Sequence, residues 1–320
     1  MYRVACLDEY DNEVFERIAS EVPEGFELVR AASYDSGDQA AAVQDVDFIL
    51  TGWAPVPSSL FENNPKLKLI QKFGVGYDKI DIQSAGERGI PVAIASGSNA
   101  HPVAELTVAL MLGVLRHLHY AVAELRQGNF TKSELRAISY QLKGKTVGLI
   151  GLGNVGKEVA RIAAAFGAQI IYFDIQELEG FEASRLGVVY KPLESVLSEA
   201  DIVSLHMPLN ANTAMFINHE RIGLMKPSAL LINTARGELV DENALAEAIV
   251  AGHLLGAGLD VTADEPINPS SPLLNLSRVV ITPHIGGSVV HQVAKLPQCL
   301  VDDETPLSAI PKPQSLIAVP

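Results

Sequence analysis

The chain has 320 residues, a length that suits two α/β domains better than one. Apolar residues make up 48% and charged residues 19%, the balance of a globular protein with a large core and not of a disordered chain. A formal net charge of −14 argues against general nucleic-acid binding and against attachment to acidic lipid.

Cys6 and Cys299 have neither metal nor redox spacing, so a reducing compartment is expected. The N-terminal residues Met-Tyr-Arg-Val-Ala-Cys-Leu-Asp read as a strand, without the long apolar region of a signal peptide. Leu106 to Leu115 is the longest uncharged apolar stretch, about half of what a bilayer demands. A cytoplasmic protein with no membrane contact is expected.

Residues 2–7 open the chain as a strand, followed by a helical segment from Glu13 to Ser20. Short apolar runs recur at Phe26–Val29, Phe48–Leu50, Leu67–Ile70 and Val92–Ile94, with helical or turn segments between them. That alternation predicts a parallel α/β layer over residues 1–100, with no phosphate loop of its own. Within it, Lys72-Phe-Gly74-Val75-Gly76-Tyr-Asp78 follows a strand. Two glycines one residue apart suit a nest of N–H groups for a carboxylate, and they equally suit an ordinary strand-to-helix turn.

A helical pattern runs from Pro102 to Gln127 and stops at Gly128. His117 and His119 lie two apart on different helix faces and cannot share a metal; no metal site is expected. A polar connection, Thr131 to Lys145, leads to the stretch that organises the chain. Val147 to Ile150 reads as a buried strand, and Gly151-Leu-Gly153-Asn154-Val155-Gly156 follows at once. A helical pattern (Val159, Ile162, Ala163, Phe166) comes next, then a second strand, Gln169 to Phe173, ending in Asp174.

This is the order of a dinucleotide site. Gly151 permits the tight turn, Gly153 admits a pyrophosphate, and Gly156 allows close helix packing. The helix N-terminus offers N–H groups and the positive end of its dipole to the phosphates. Asp174 can accept from both ribose hydroxyls and repels a 2′-phosphate, so NAD is favoured over NADP. Further buried strands end at His206-Met207-Pro208, Thr234-Ala235-Arg236, Asp260 and His284, with Glu265 in a following loop. In doubly wound sheets such strand ends are where ligands bind.

Three stretches carry a resemblance: Asn233-Thr-Ala-Arg236-Gly-Glu-Leu-Val-Asp241, Leu259-Asp260-Val-Thr-Ala-Asp-Glu265-Pro266 and Thr282-Pro-His284-Ile-Gly-Gly-Ser288. With the glycine fingerprint, and over about residues 45–288, the chain resembles the D-isomer-specific 2-hydroxyacid dehydrogenase family. That family includes phosphoglycerate dehydrogenases and glyoxylate/hydroxypyruvate reductases. The resemblance implies an α/β fold of two Rossmann-like doubly wound parallel-sheet domains. It places an NAD-binding domain at 101–285, inserted into a substrate domain built from 1–100 and 286–320. It also implies a homodimer formed through the helical arm of the nucleotide domain.

The same resemblance implies roles for single residues. Arg236 holds the carboxylate of a small 2-oxo or 2-hydroxy acid, His284 is the acid/base, and Glu265 is its partner. Val75 and Gly76 contribute backbone to the substrate carboxylate. Cofactor contacts are implied at Asn154, Val155, His206, Met207, Pro208, Thr213, Thr234, Ala235, Arg236, Asp260, His284 and Gly286, with Thr107 as a further candidate. The chemistry agrees: a guanidinium matches a planar carboxylate, and an imidazole can protonate the oxygen on which charge grows during hydride transfer.

Two departures stand out. Phosphoglycerate dehydrogenases commonly place an Arg just after the third strand; here the stretch is Leu50-Thr-Gly-Trp53-Ala-Pro55. An unphosphorylated substrate is expected, with Trp53 as an apolar wall and Lys72 as an alternative phosphate partner. After Ser288, prolines at 297, 306, 311, 313 and 320 replace the amphipathic helix usual in the family. The competing readings are a phosphoglycerate dehydrogenase, an NAD-sensing corepressor-like binding protein, and a C-terminally altered chain of low activity.

Overall fold

The computed structural model describes residues 1–289. The proline-rich stretch from Pro297, Cys299 and nearly all of the expected 286–320 segment lie outside the described residues. Two compact units emerge, one over Met1–Asn99 and one over Ala100–Ser288.

The first unit runs β1 (Tyr2–Cys6), α1 (Asn12–Ser20), β2 (Phe26–Arg30), α2 (Ser36–Ala42), β3 (Phe48–Thr51), β4 (Leu69–Lys72), α3 (Ile82–Glu87), β5 (Val92–Ile94). Its five strands are all parallel, in the order β2-β1-β3-β4-β5. Alternation along β3 feeds two cores. Ile49 joins Ala5, Leu7, Ile70 and Val92 on one face, while Phe48 and Leu50 join Val4 and Phe73 on the other. β4 starts two residues later than the apolar run suggests, because Leu67 is spent on the core before the strand begins.

In this strand order the topological switch point lies between β1 and β3, where a ligand crevice ordinarily opens. Here Asp8, buried just past β1, fills that role with its own carboxylate. It accepts the N–H groups of Gly52, Trp53 (2.5 Å) and Ala54 (2.9 Å). The Lys72 ammonium donates to the Gly52 carbonyl, and Lys79 Nζ sits 3.4 Å over the Trp53 ring. The 52–54 loop is held from both sides.

The second unit contains α4 (Ala100–Leu115), α5 (Leu118–Arg126), α6 (Lys132–Ile138), β6 (Thr146–Ile150), α7 (Asn154–Ala165), β7 (Gln169–Phe173), α8 (Gly180–Leu186) and β8 (Val188–Tyr190). It continues with α9 (Leu193–Glu199), β9 (Ile202–Leu205), α10 (His219–Leu224), β10 (Leu230–Asn233), α11 (Glu242–Val250), β11 (Gly256–Leu259) and β12 (Val279–Ile281). Its seven strands are parallel, in the order β12-β11-β10-β9-β6-β7-β8. Strands β6, β9 and β10 are apolar and almost wholly buried, as a sheet covered on both faces requires. β11, Gly-Ala-Gly-Leu, is a poor strand former by propensity. Its glycines make room for α4: a Cβ on Gly258 would come within 2.9 Å of Leu110 Cβ.

One expected element is corrected. The helical pattern from Pro102 to Gln127 is not one helix: α4 ends at Leu115 and α5 leaves it at 61°. His117 takes a left-handed conformation (φ 50°), is buried, and places Nε2 3.2 Å from the Ile138 carbonyl. Tyr140 N–H donates to the Leu115 carbonyl at 2.9 Å, satisfying the open end of α4. The apolar stripe continues across the break, so periodicity alone cannot see it. The polar connection 131–145 likewise contains a helix, α6. No single described helix is long and apolar enough to cross a membrane.

Asp241 caps α11, its carboxylate accepting from Asn243 N (3.1 Å) and Ala244 N (3.0 Å). Asp241→Ala is expected to cost about 1 kcal/mol in denaturant unfolding; an unshifted midpoint removes this cap from the list of stabilising contacts.

Candidate nucleotide and active site

Strand β6 delivers the chain to a turn in which each glycine has its own reason. Gly151 is left-handed (φ 95°), and a Cβ there would lie 2.6 Å from the His206 carbonyl oxygen. A Cβ on Gly156 would lie 2.5 Å from the Gly151 carbonyl, so the first turn of α7 needs glycine to sit on the loop. Gly153 faces open space, with nothing within 4 Å of its missing side chain. As the N-cap of α7 it also supplies no side-chain acceptor, leaving the Asn154, Val155 and Gly156 amides at the positive end of the helix. An uncluttered helix N-terminus beside an open glycine fits a dinucleotide pyrophosphate.

The turn sits at the switch point between β6 and β9. Asp174, at the end of β7, accepts the Leu152 N–H at 2.7 Å and the Gln176 N–H at 3.2 Å, which fixes its carboxylate beside the turn. At the end of β9, the His206 ring places Nε2 2.9 Å from Ser204 Oγ. Burial pushes this imidazole down to about 3, and it stays neutral at physiological pH. Met207 and Pro208 follow, and Thr213 Oγ1 closes the loop by donating to the Pro208 carbonyl at 2.8 Å.

The remaining polar residues follow the ends of β10, β11 and β12, which pair in register through Asn233↔Leu259 and Leu259↔Ile281. From Asp174 at β7 to His284 at β12 is five strand spacings, roughly 24 Å at about 4.8 Å each, enough for an extended dinucleotide along the sheet edge. Thr234 Oγ1 lies 2.8 Å from the Oγ1 of Thr107, which is fully buried on α4. Arg236 Nη1 donates to the Ala235 carbonyl at 2.8 Å. His284 Nδ1 faces both Glu265 oxygens, at 3.0 and 3.2 Å, with both side chains part-exposed.

Asp260, 1% exposed, holds the last of these loops. Its carboxylate accepts from Thr282 Oγ1 (2.6 Å), Ile285 N (2.9 Å) and Gly286 N (2.8 Å). Its carbonyl takes the His284 N–H at 2.8 Å. Together these hold His284 at φ 53°, a left-handed backbone that costs a non-glycine residue about 1 kcal/mol or more. Sequence reading placed Asp260 at a strand end without this loop-holding duty. It also passed over Glu242, whose Oε1 accepts the Ala263 N–H at 2.7 Å beside the Glu265 loop. For Glu242 only its acidic character was visible in the sequence.

Val75 and Gly76 belong to the first unit. They follow β4 in a turn where Gly74 is left-handed (φ 90°) and Val75 is 40% exposed. Among the described residues no group of three or more His, Cys, Asp or Glu side chains is placed to hold a metal ion.

The part-buried His206 makes a prediction for acid stability. Its folded value lies below the ordinary 6.5, so the unfolded chain binds the extra proton and stability falls as pH drops from about 6.5 toward 3. The slope from this group is at most about 1.4 kcal/mol per pH unit. His206→Gln, which keeps a partner for Ser204, is expected to flatten that limb in unfolding curves taken across the window. Identical acid limbs in the two proteins contradict it.

The D-isomer specific 2-hydroxyacid dehydrogenase, NAD binding domain family matches residues 108–286. Glyoxylate reductase of Thermococcus litoralis is 42% identical over 256 residues, covering 78% of this chain and 76% of that one. Hydroxypyruvate reductase of Thermotoga maritima is 39% identical over 290 residues, covering 90% and 92%. Among solved structures, D-lactate dehydrogenase from Aquifex aeolicus complexed with NAD and lactic acid superposes with a TM-score of 0.80 at 29% identity, covering 93% of this chain and 92% of that one. The glycine turn, the parallel seven-stranded sheet and these matches agree: the chain belongs to the D-isomer specific 2-hydroxyacid dehydrogenase family, and residues 108–286 are its NAD-binding domain.

Proposed function

We propose that the chain interconverts small, unphosphorylated 2-oxo acids and D-2-hydroxy acids, with glyoxylate and hydroxypyruvate as first candidates. The observation that carries the proposal is the 3.0 Å contact between His284 Nδ1 and Glu265 Oε1, which follow β12 and β11, the next two strands along the sheet from the β10 that leads to Arg236. NAD held at residues 151–156, with its ribose at Asp174, supplies the hydride acceptor, or in reduced form the donor. Every other step belongs to side chains.

Arg236 binds the substrate carboxylate through its planar fork. Glu265 accepts from Nδ1–H, which fixes the ring and leaves Nε2 on its far side as the proton-exchanging atom. In reduction, protonated His284 gives the Nε2 proton to the substrate oxygen as charge develops there; in oxidation, neutral His284 takes the hydroxyl proton. Expected outcomes follow from these roles. His284→Ala and Arg236→Ala each lower kcat/KM for reduction about 100-fold or more, measured as NADH oxidation. Wild-type turnover in both variants would falsify these assignments. Asp174→Ala lowers the preference for NADH over NADPH about tenfold or more, read as the ratio of kcat/KM values; an unchanged ratio contradicts Asp174 as the selecting group.

The absence of a phosphate from the substrate is supported by the 52–54 loop. It carries no basic residue, and its neighbouring cations are engaged: Lys72 on the Gly52 carbonyl and Lys79 on the Trp53 ring.

The protein works as a cytoplasmic homodimer in this reading. α5 buries no side chain and aligns exposed Leu118, Val122 and Leu125 on one face, with Phe130 (81% exposed) just beyond. A second copy covers this apolar stripe. Val122→Glu together with Leu125→Glu is expected to yield a monomer by light scattering; a dimer unaffected by both charges places the interface elsewhere.

A further inference from the structure

Asn233, the last residue of β10, is 1% exposed, and its side-chain amide spans the turn that follows. Oδ1 accepts the Ala235 N–H at 3.0 Å, while Nδ2 donates to the Arg236 carbonyl at 2.7 Å. Asparagine uses a donor and an acceptor at once here; an ionised aspartate has no donor, and an apolar residue of similar size has neither. Arg236 itself is extended (φ −146°, ψ 138°), and its guanidinium folds back to the Ala235 carbonyl. Both the backbone and the head group of Arg236 are therefore referred to one short turn.

Beyond the arginine, Gly237 lies face-on against the Thr262–Ala263 backbone. A Cβ there would overlap the Thr262 carbonyl, so only glycine allows the seating. That backbone leads to Glu265: the Thr262 N–H points to Glu265 Oε1 at 3.4 Å, and the Thr262 hydroxyl donates to the Asp264 carbonyl at 2.7 Å. Arg236 stands between a buried amide on one side and a glycine contact with the Glu265 loop on the other.

We propose that Asn233 is a positioning residue for Arg236: through the 234–236 turn and the Gly237 contact it sets where the guanidinium stands relative to the Glu265–His284 pair. The inference rests on Arg236 as the carboxylate-binding group. Two parallel hydrogen bonds to a planar carboxylate demand alignment, and a misplacement of about 1 Å is enough to cost up to about 100-fold in rate.

A double-mutant cycle tests it. With Arg236 present, Asn233→Ala is expected to lower kcat/KM for glyoxylate or hydroxypyruvate about 10- to 100-fold, mainly through a raised KM. In the Arg236→Ala background the same substitution is expected to remove less than about threefold, because the group it aims is gone. The same cycle read as oxamate affinity of the NADH-loaded enzyme is expected to show the same coupling where residual turnover is too slow to measure. Equal losses in both backgrounds overturn the proposal, since Asn233 would then support the fold and not the arginine. Wild-type kcat/KM in Arg236→Ala alone overturns the carboxylate reading, and the Asn233 proposal with it. If Asn233→Ala does not fold, Asn233→Ser carries the same cycle, keeping an acceptor near Ala235 without the reach to the Arg236 carbonyl.

Discussion

The buried carboxylate of Asp260 is the constraint on which the candidate site depends. It gathers a hydroxyl and two N–H groups from residues 282–286, and its own carbonyl takes a third N–H, that of His284. Without those four bonds, a left-handed histidine would relax toward the ordinary backbone regions and its ring would leave Glu265. The imidazole is therefore aimed by a carboxylate that never needs to touch it.

The two sheets solve the same topological problem in opposite ways. Each has a switch point where strand order reverses and the strand ends splay. In the second unit that opening holds a glycine turn, a helix N-terminus without a side-chain cap from Gly153, and unfilled space at Gly153. In the first unit the equivalent opening is closed by Asp8, whose oxygens take three successive N–H groups of the 52–54 loop. A loop sealed in this way cannot cradle a phosphate with those amides. That physical difference explains why one fold class, repeated within a chain, yields one nucleotide site and not two.

Much of this was legible in the residues because each feature has a one-dimensional signature. Glycine spacing, strand-length apolar runs and polar residues at strand ends are local, and they located the 151–156 turn, β7 through Asp174, and Arg236, Glu265 and His284. The break at Arg116–His117 was not legible, because what ends α4 is Tyr140 and Ile138 returning from 20 or more residues away. β8, only three residues long, left too little periodicity to read. Asp260 was legible as a polar strand end and Asn233 only as part of a motif, but sequence does not say whether such a side chain faces a ligand or its own backbone. Only the bonding partners decide that.

Those inward-facing acids bear on how a chain of net charge −14 can receive an anionic substrate. Coulomb attraction over a few ångströms is governed by local charges, and those beyond about a Debye length are screened. Around the strand ends of the second unit, Asp260 is saturated by N–H and hydroxyl donors, Glu242 takes the Ala263 amide, and Glu265 is spent on His284. Burial raises the Glu242 carboxyl above its usual range, which further reduces its charge at acidic pH. In the proposed reaction a small carboxylate meets the Arg236 guanidinium, while the positive end of α7 faces the cofactor's phosphates. An acidic surface and the proposed anionic substrate are compatible because the site's own carboxylates are turned toward its backbone and His284.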